Sequence, residues 1–112
     1  MSSRIDDGGS ISPQDRALYK QEFKEGVNLF QNSLAEYQKA DEVHKKNALK
    51  NVMDEALQVM NETAQLCLSK KAQMQENQLA QDYQAFSSLA SPTDTDYQKL
   101  NSEIDNLKKD IG

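Results

Sequence analysis

TDTDYQKLNSEIDNLKKDIG, residues 93–112, brings one apolar side chain to the same face of a helix on every turn. The steps between these side chains are 3, 4, 3 and 4 residues, which is heptad spacing. We call them the C-terminal seam: Tyr97, Leu100, Ile104, Leu107 and Ile111. The seam spans about two heptads, fewer than the three or four typical of a free-standing coiled coil. It therefore needs a surface to pack against, either the chain's own helices or another chain.

A break precedes this segment at SSLASPTDTD, residues 87–96. Pro92 disfavours helical geometry at Ser91, and the small polar residues around it favour turns. Beyond the break, Thr95 and Gln98 match the capping box of a helix start. We therefore predict a linker at residues 92–95 and a C-terminal heptad helix at residues 96–112.

Another amphipathic helix is predicted from residue 12 onward. Ser12 is a suitable N-cap, Pro13 suits the first helical position, and Asp15 adds negative charge to the first turn. Within this helix, Gly26 indicates a close approach by a neighbouring helix. The apolar face has steps of 4, 4, 3, 4 and 3 residues and consists of Tyr19, Phe23, Val27, Phe30, Leu34 and Tyr37.

The periodicity falters near residues 38–44, where we predict a turn with Asp41 as the cap of a second helix. Two adjoining apolar seams follow, and together they predict a central helix that contacts two neighbours. The first seam is Leu49, Met53, Leu57, Met60, Ala64 and Cys67. The second is Val52, Ala56, Val59, Thr63 and Leu66.

The apolar phase changes after this helix and resumes at Leu79, Tyr83, Phe86 and Ala90. Either the chain turns within residues 69–78 or one long helix shifts its buried face there. We favour the turn.

Composition limits the size of the core. The chain has 112 residues, enough for one domain, but only 22 are Leu, Ile, Val or Phe, against twelve Gln and eight Asn. Long helices packed along narrow seams suit such a chain. We predict an all-α protein, either an elongated antiparallel helical hairpin or a three- to four-helix bundle with coiled-coil-like packing. Residues 12–91 form the hairpin or bundle, and residues 1–11 a disordered N-terminal arm.

Several function classes are disfavoured. The net charge is −5 and the basic residues are scattered, which argues against nucleic acid as a partner. No apolar run approaches the ~20 residues of a membrane span, so we expect no membrane insertion. The single cysteine, Cys67, allows no internal disulfide and suits a reducing cytosol, so we predict a cytoplasmic protein, with secretion by an uncleaved N-terminal signal left open. Cys67 fits a core position and His44 an exposed one. We predict no catalytic residue, no cofactor and no metal site, and hence no enzyme.

Two stretches resemble the small acidic helical proteins of bacterial type III secretion systems, the chlamydial ones among them. They are QDRALYKQEFKEGVNLFQNSLAEYQKA, residues 14–40, and NALKNVMDEALQVMNETAQLCL, residues 47–68. The resemblance is one of style, an amphipathic pattern rich in Gln and Asn behind a polar arm. It implies a small chaperone, adaptor or apparatus component that binds another helical protein.

We therefore predict a protein–protein interaction module whose partner is another helical protein. The alternative is a self-assembling structural protein, a dimer or filament, in which the partner is a second copy. An amphipathic groove accepts a partner helix through anchors spaced by helical turns. The residues predicted to bind are the C-terminal seam, namely Tyr97, Leu100, Ile104, Leu107 and Ile111, together with Phe23, Phe30 and Met53.

Overall fold

Four helices make up the computed structural model, which describes residues 11–111. The predicted disordered arm lies outside the described residues as far as Ser10. The helices are α1 (Pro13–Lys39), α2 (Val43–Cys67), α3 (Lys70–Ser87) and α4 (Asp94–Ile111). The predicted all-α fold is confirmed, in its four-helix form.

The helices run up, down, up and down around one core. Short connections at residues 40–42, 68–69 and 88–93 make consecutive helices antiparallel neighbours. Side-chain bonds of 3.3 Å, Gln31 to Asp105 and Gln38 to Asp94, show that α1 and α4 are antiparallel as well. The bundle is elongated, at 52 × 25 × 20 Å. Each helix packs against two others. The prediction that α2 contacts two neighbours, α1 and α3, is confirmed, but α2 is no more central than the other helices.

The start of α1 is as predicted. The Ser12 hydroxyl accepts a 3.1 Å hydrogen bond from the backbone N–H of Asp15, and Pro13 occupies the first helical position. The predicted turn near residues 38–44 is confirmed, but its cap is different. Glu42, rather than Asp41, accepts a 3.1 Å hydrogen bond from the backbone N–H of Lys45. Because α2 begins at Val43, Glu42 occupies the N-cap position, and its carboxylate satisfies one of the free N–H groups of the first turn.

The capping box of α4 is formed by Thr93 and Asp96, not by Thr95 and Gln98. The backbone N–H of Asp96 donates to the Thr93 hydroxyl at 3.3 Å, and that of Thr93 donates to the Asp96 carboxylate at 2.8 Å. Both pairs have the three-residue separation that a capping box needs, so spacing alone does not choose between them. As a result, α4 begins at Asp94, two residues before the predicted start, and the linker is correspondingly shorter.

The chain turns between α2 and α3, as favoured above, at residues 68–69. Ser69 caps α3, and its hydroxyl accepts a 3.2 Å hydrogen bond from the backbone N–H of Ala72. The buried face of α3 starts earlier than predicted, because Ala72 and Glu76 belong to it. Ala90 lies beyond the end of α3 and is exposed.

An aromatic cluster closes the core toward the end that holds loops 40–42 and 88–93. The rings of Phe30 and Tyr83 meet edge to face with centroids 5.1 Å apart, and those of Phe86 and Tyr97 do the same. Tyr37 contacts both Phe86 and Tyr97, at 6.1 and 6.5 Å. Such pairs add about 0.5–1.5 kcal/mol each beyond the area they bury. They also connect the diagonal helices α1 and α3 across the core.

Candidate functional site

The residues predicted to bind a partner lie in the core of the bundle. All eight are between 0% and 6% exposed, and they are Phe23, Phe30, Met53, Tyr97, Leu100, Ile104, Leu107 and Ile111. The C-terminal seam thus packs within its own chain. Binding a partner through these side chains requires the bundle to open.

The second seam of α2 behaves differently from the first. The first seam is buried apart from the partly buried Leu49. In the second, Ala56 and Thr63 are buried and Val52 and Leu66 are half-buried, but Val59 is 39% exposed. This seam lies along the outer side of the α1–α2 contact, where neither α3 nor α4 covers it.

A groove runs between α1 and α2 on this outer side. We call it the outer groove. Its walls are Leu29 of α1, 48% exposed, and Val59 of α2. Its lining residues are Glu22, Glu25, Gly26 and Leu29 from α1, and Glu55, Ala56 and Val59 from α2.

Gly26 and Ala56 form the floor of the outer groove and bring the two helices close together. A Cβ atom on Gly26 would lie 3.1 Å from the Cγ of Met60 and 3.4 Å from the carbonyl oxygen of Ala56. Gly26 therefore marks a close helix approach, as the sequence indicated. Because neither floor residue carries a large side chain, the groove remains open between Leu29 and Val59.

Apolar and acidic residues occupy both walls; they alternate along α2, whereas two glutamates lie between two leucines along α1. On α2 the outward stripe has steps of 3, 4, 3 and 4 residues and reads Val52, Glu55, Val59, Glu62 and Leu66. On α1 the stripe is Leu18, Glu22, Glu25 and Leu29, with steps of 4, 3 and 4. Such steps put every member of a stripe on one helix face. The antiparallel register at Gly26 brings Leu18 near the level of Leu66, so the stripes continue side by side beyond the groove.

The charge of the outer groove has one sign. Every charged residue among those that line it is a glutamate, namely Glu22, Glu25 and Glu55. Glu25 also accepts a 3.1 Å hydrogen bond from the side-chain amide of Gln21, which holds its carboxylate beside the groove. The result is an apolar surface with an acidic rim.

Among residues 11–111, the nucleophilic and metal-binding side chains form no comparable site. His44 is exposed, as predicted. Cys67 is buried, also as predicted, and its thiol donates to the carbonyl oxygen of Thr63 at 3.1 Å. Burial raises the pKa of this thiol, which disfavours the reactive thiolate. Across residues 11–111, no three His, Cys, Asp or Glu side chains converge as a metal ion requires.

A buried carboxyl group lies between α2 and α3. Glu76 is only 2% exposed, and burial raises its pKa to about 7. The side chain of Asn61, with its amide nitrogen turned toward Glu76, donates a hydrogen bond to this carboxyl group. Glu76 occupies a position on the buried face of α3 where an apolar residue would be expected. Because it is a charged residue, the apolar pattern of the sequence did not indicate that this position is buried.

A second pair of carboxyl groups lies between α3 and α4. Burial and a hydrogen bond to Asp82 raise the pKa of Glu103 to about 7. The same hydrogen bond from Glu103 lowers the pKa of Asp82, helped by the amide of Gln78 and by Lys99, whose ammonium lies 3.7 Å away. Oδ2 of Asp82 and Oε1 of Glu103 are buried without an N–H donor among the described residues. A proton held between the two groups satisfies both oxygens.

No protein family, no curated protein and no solved structure matches this chain. The site must therefore be judged by its own geometry. Within the part of the chain described here, every helix is too short or too polar to cross a membrane.

Proposed function

We propose that this protein is a non-enzymatic interaction module that binds a helix of another protein in the outer groove. The observation that supports this most directly is the pairing of Leu29 and Val59, two partly exposed apolar side chains from different helices that line one groove. Other exposed apolar residues, such as Met74, lie outside this groove and are of the scattered kind common on protein surfaces.

The dimensions of the site suit a helical ligand. Two antiparallel helices leave a straight groove between them, and a third helix fills it with side chains spaced three, four and seven residues apart. On the α2 side, Val52, Val59 and Leu66 recur every seven residues, or about 10.5 Å along the helix at 1.5 Å per residue. The binding surface proposed here thus replaces the buried C-terminal seam.

A narrower form of the proposal follows from the sequence resemblance alone. In that form the protein is a small chaperone or adaptor of a bacterial secretion apparatus, and the helix it holds belongs to another component of that apparatus. The groove geometry is equally suited to other helical partners. The sequence resemblance is therefore the sole support for a role in a secretion apparatus.

Photo-crosslinking in the native host tests the proposal. A benzoyl-phenylalanine would replace Leu29 or Val59 in separate variants, and Met74 in a control variant, since Met74 is 69% exposed and lies outside the groove. We expect an adduct with one other protein from both groove positions and none from the control. Peptide mapping of that adduct should locate the crosslink in a helical segment.

Two results would contradict the proposal. Equal labelling from Met74 and from the groove positions would show that contact is unspecific. An adduct made only with a second copy of this chain would instead support the alternative, a self-assembling protein.

A further inference from the structure

We infer that the helix held in the outer groove is basic, with lysine or arginine residues flanking its apolar anchors. This inference rests on the proposed function and adds the chemical class of the partner. It is carried by the glutamates that stand between the apolar residues of both walls, a pattern that is independent of the exposure of Leu29 and Val59.

The apolar positions of the partner follow from the spacing of the apolar residues on α2. Because Val52, Val59 and Leu66 stand seven residues apart on one face, a docked helix meets an apolar contact once in every two turns. A partner with an apolar residue at every seventh position meets Val59 in the groove and Val52 and Leu66 where the α2 stripe continues beyond it.

Glutamates occupy the positions between these anchors. Glu55 and Glu62 fill the gaps on α2. On α1, Glu22 lies near the level of Glu62 and Glu25 near the level of Val59, so carboxylates flank the apolar anchors on both walls. A docked helix removes water from around these carboxylates. A neutral or acidic helix supplies no positive charge to pair with these carboxylates. Carboxylates that are buried without a partner oppose binding. A basic helix supplies ammonium or guanidinium groups, whose aliphatic stems also pack against the valines and leucines.

A second copy of this chain is disfavoured as the occupant of the outer groove. In a symmetric dimer formed through this groove, the same patch faces itself, so the interface holds the glutamates of both copies and no basic residue from either groove lining. The chain as a whole also carries a charge of −5. Both features disfavour groove-to-groove dimers, whereas they attract and orient a basic partner.

The test uses three synthetic helical peptides with leucine at every seventh position and flanking lysine, glutamine or glutamate. Binding to the full-length protein would be followed by fluorescence anisotropy at low and at high salt. We expect the lysine peptide to bind at least about tenfold more tightly than the glutamine peptide at low salt. This advantage should shrink at high salt, because salt screens the exposed charges.

Matched double variants separate the groove from net charge. Glu22→Gln with Glu55→Gln removes one carboxylate from each wall, and Glu36→Gln with Asp41→Asn removes two exposed carboxylates outside the groove. Each change takes the formal charge from −5 to −3 by removing two negative charges. We expect only the groove variant to lose most of the lysine preference, with both variants as helical as the wild type by circular dichroism.

The outcomes distinguish the two proposals. If the lysine and glutamine peptides bind equally and Val59→Asp abolishes both, the groove binds helices but the inference of a basic partner is overturned. Equal loss of the lysine preference in both double variants would also overturn it, since net charge alone would then explain the preference. If Val59→Asp leaves binding of every peptide unchanged, or if no peptide binds, the proposed function itself fails.

Discussion

Asp82 on α3 and Glu103 on α4 hydrogen-bond to each other through their carboxyl groups, and their pKa values move in opposite directions as a result. Burial and the hydrogen bond raise the pKa of Glu103 to about 7, while the same bond lowers that of Asp82. One proton between two carboxyl groups is thus the stable arrangement at this helix contact, and it makes the bundle sensitive to pH.

We expect the free energy of unfolding to fall as the pH rises from about 5 to about 8. The pKa of Glu103 is raised from an ordinary 4.5 to about 7, so the folded state binds more protons than the unfolded state in this window. The same holds for Glu76. The stability contributed by these two groups is therefore fully present below pH 4.5 and is lost as the pH rises through 7, by up to about 3 kcal/mol for each group. The lowered pKa of Asp82 makes the free energy of unfolding rise with pH instead, but only at pH values below this window.

Glu103→Gln checks this assignment, because its amide donates to Asp82 at every pH. Urea unfolding at pH 5 and pH 8 should show a smaller loss of stability in this variant than in the wild type. Glu36→Gln, at an exposed position of α1, serves as the control and should keep the wild-type slope. An unchanged slope in Glu103→Gln would show that the pair does not titrate as described.

Leu107 tests the placement of the C-terminal seam. Its side chain is fully buried, so Leu107→Ala should cost about 2–5 kcal/mol of unfolding free energy. Leu107→Asp should remove most of the helicity seen by circular dichroism, because an unpaired carboxylate would be placed in the core. Leu89→Ala, at an exposed position, should change stability by no more than about 0.5 kcal/mol. A fully helical Leu107→Asp protein would mean that the seam is not part of the core.

The start of α4 offers a direct comparison between two neighbouring threonines. Thr93→Ala removes the hydroxyl that accepts from the backbone N–H of Asp96 and should cost about 1 kcal/mol. Thr95→Ala, two residues further into α4, should be nearly neutral. Chemical denaturation of both variants would decide the point. A larger loss of unfolding free energy in Thr95→Ala than in Thr93→Ala would show that Thr95 is the N-cap of α4, as predicted from the sequence.

Gly26 allows the cost of the close α1–α2 approach to be measured. Gly26→Ala gains about 1 kcal/mol of helix propensity but puts a methyl group 3.1 Å from Cγ of Met60, so we expect stability close to that of the wild type. Gly26→Leu has similar propensity but a far larger side chain, and we expect a loss of about 1–3 kcal/mol. Denaturant midpoints would measure both, and a stable Gly26→Leu protein would show that the helices can separate freely here.

The sequence predicts the helices and their buried faces because apolar spacing alone decides which side of a helix leaves water. The C-terminal seam and the face that runs from Phe23 to Tyr37 are examples. The buried face of α3 was found only in part, since a glutamate at an apolar position reads as an exposed residue. The physical reason for its burial, a raised pKa and a hydrogen bond from Asn61, depends on a helix distant in the chain.

The outer groove was harder to predict than the core. Val59 belongs to an apolar seam and was expected to contact a neighbour, and it does lie against α1 beside Gly26. Its side chain stays 39% exposed because only α1 and α2 line the groove at this point. The sequence does contain a signal for the groove, the alternation of Val52, Glu55, Val59, Glu62 and Leu66. Its meaning depends on Gly26, which sets the depth of the groove only once α1 and α2 are packed.

The even number of alternating helices gives the molecule two unlike poles. Pro13 at the start of α1 and Ile111 at the end of α4 lie at one pole with the tight connection at residues 68–69. The connections at residues 40–42 and 88–93 occupy the other pole of a body 52 Å long. A tether or fusion joined to either end of the helical region therefore leaves from the same pole. The outer groove runs parallel to α1 and α2, from one pole to the other. A bound helix would therefore have only two orientations, with its N-terminus toward the pole of the tether or away from it.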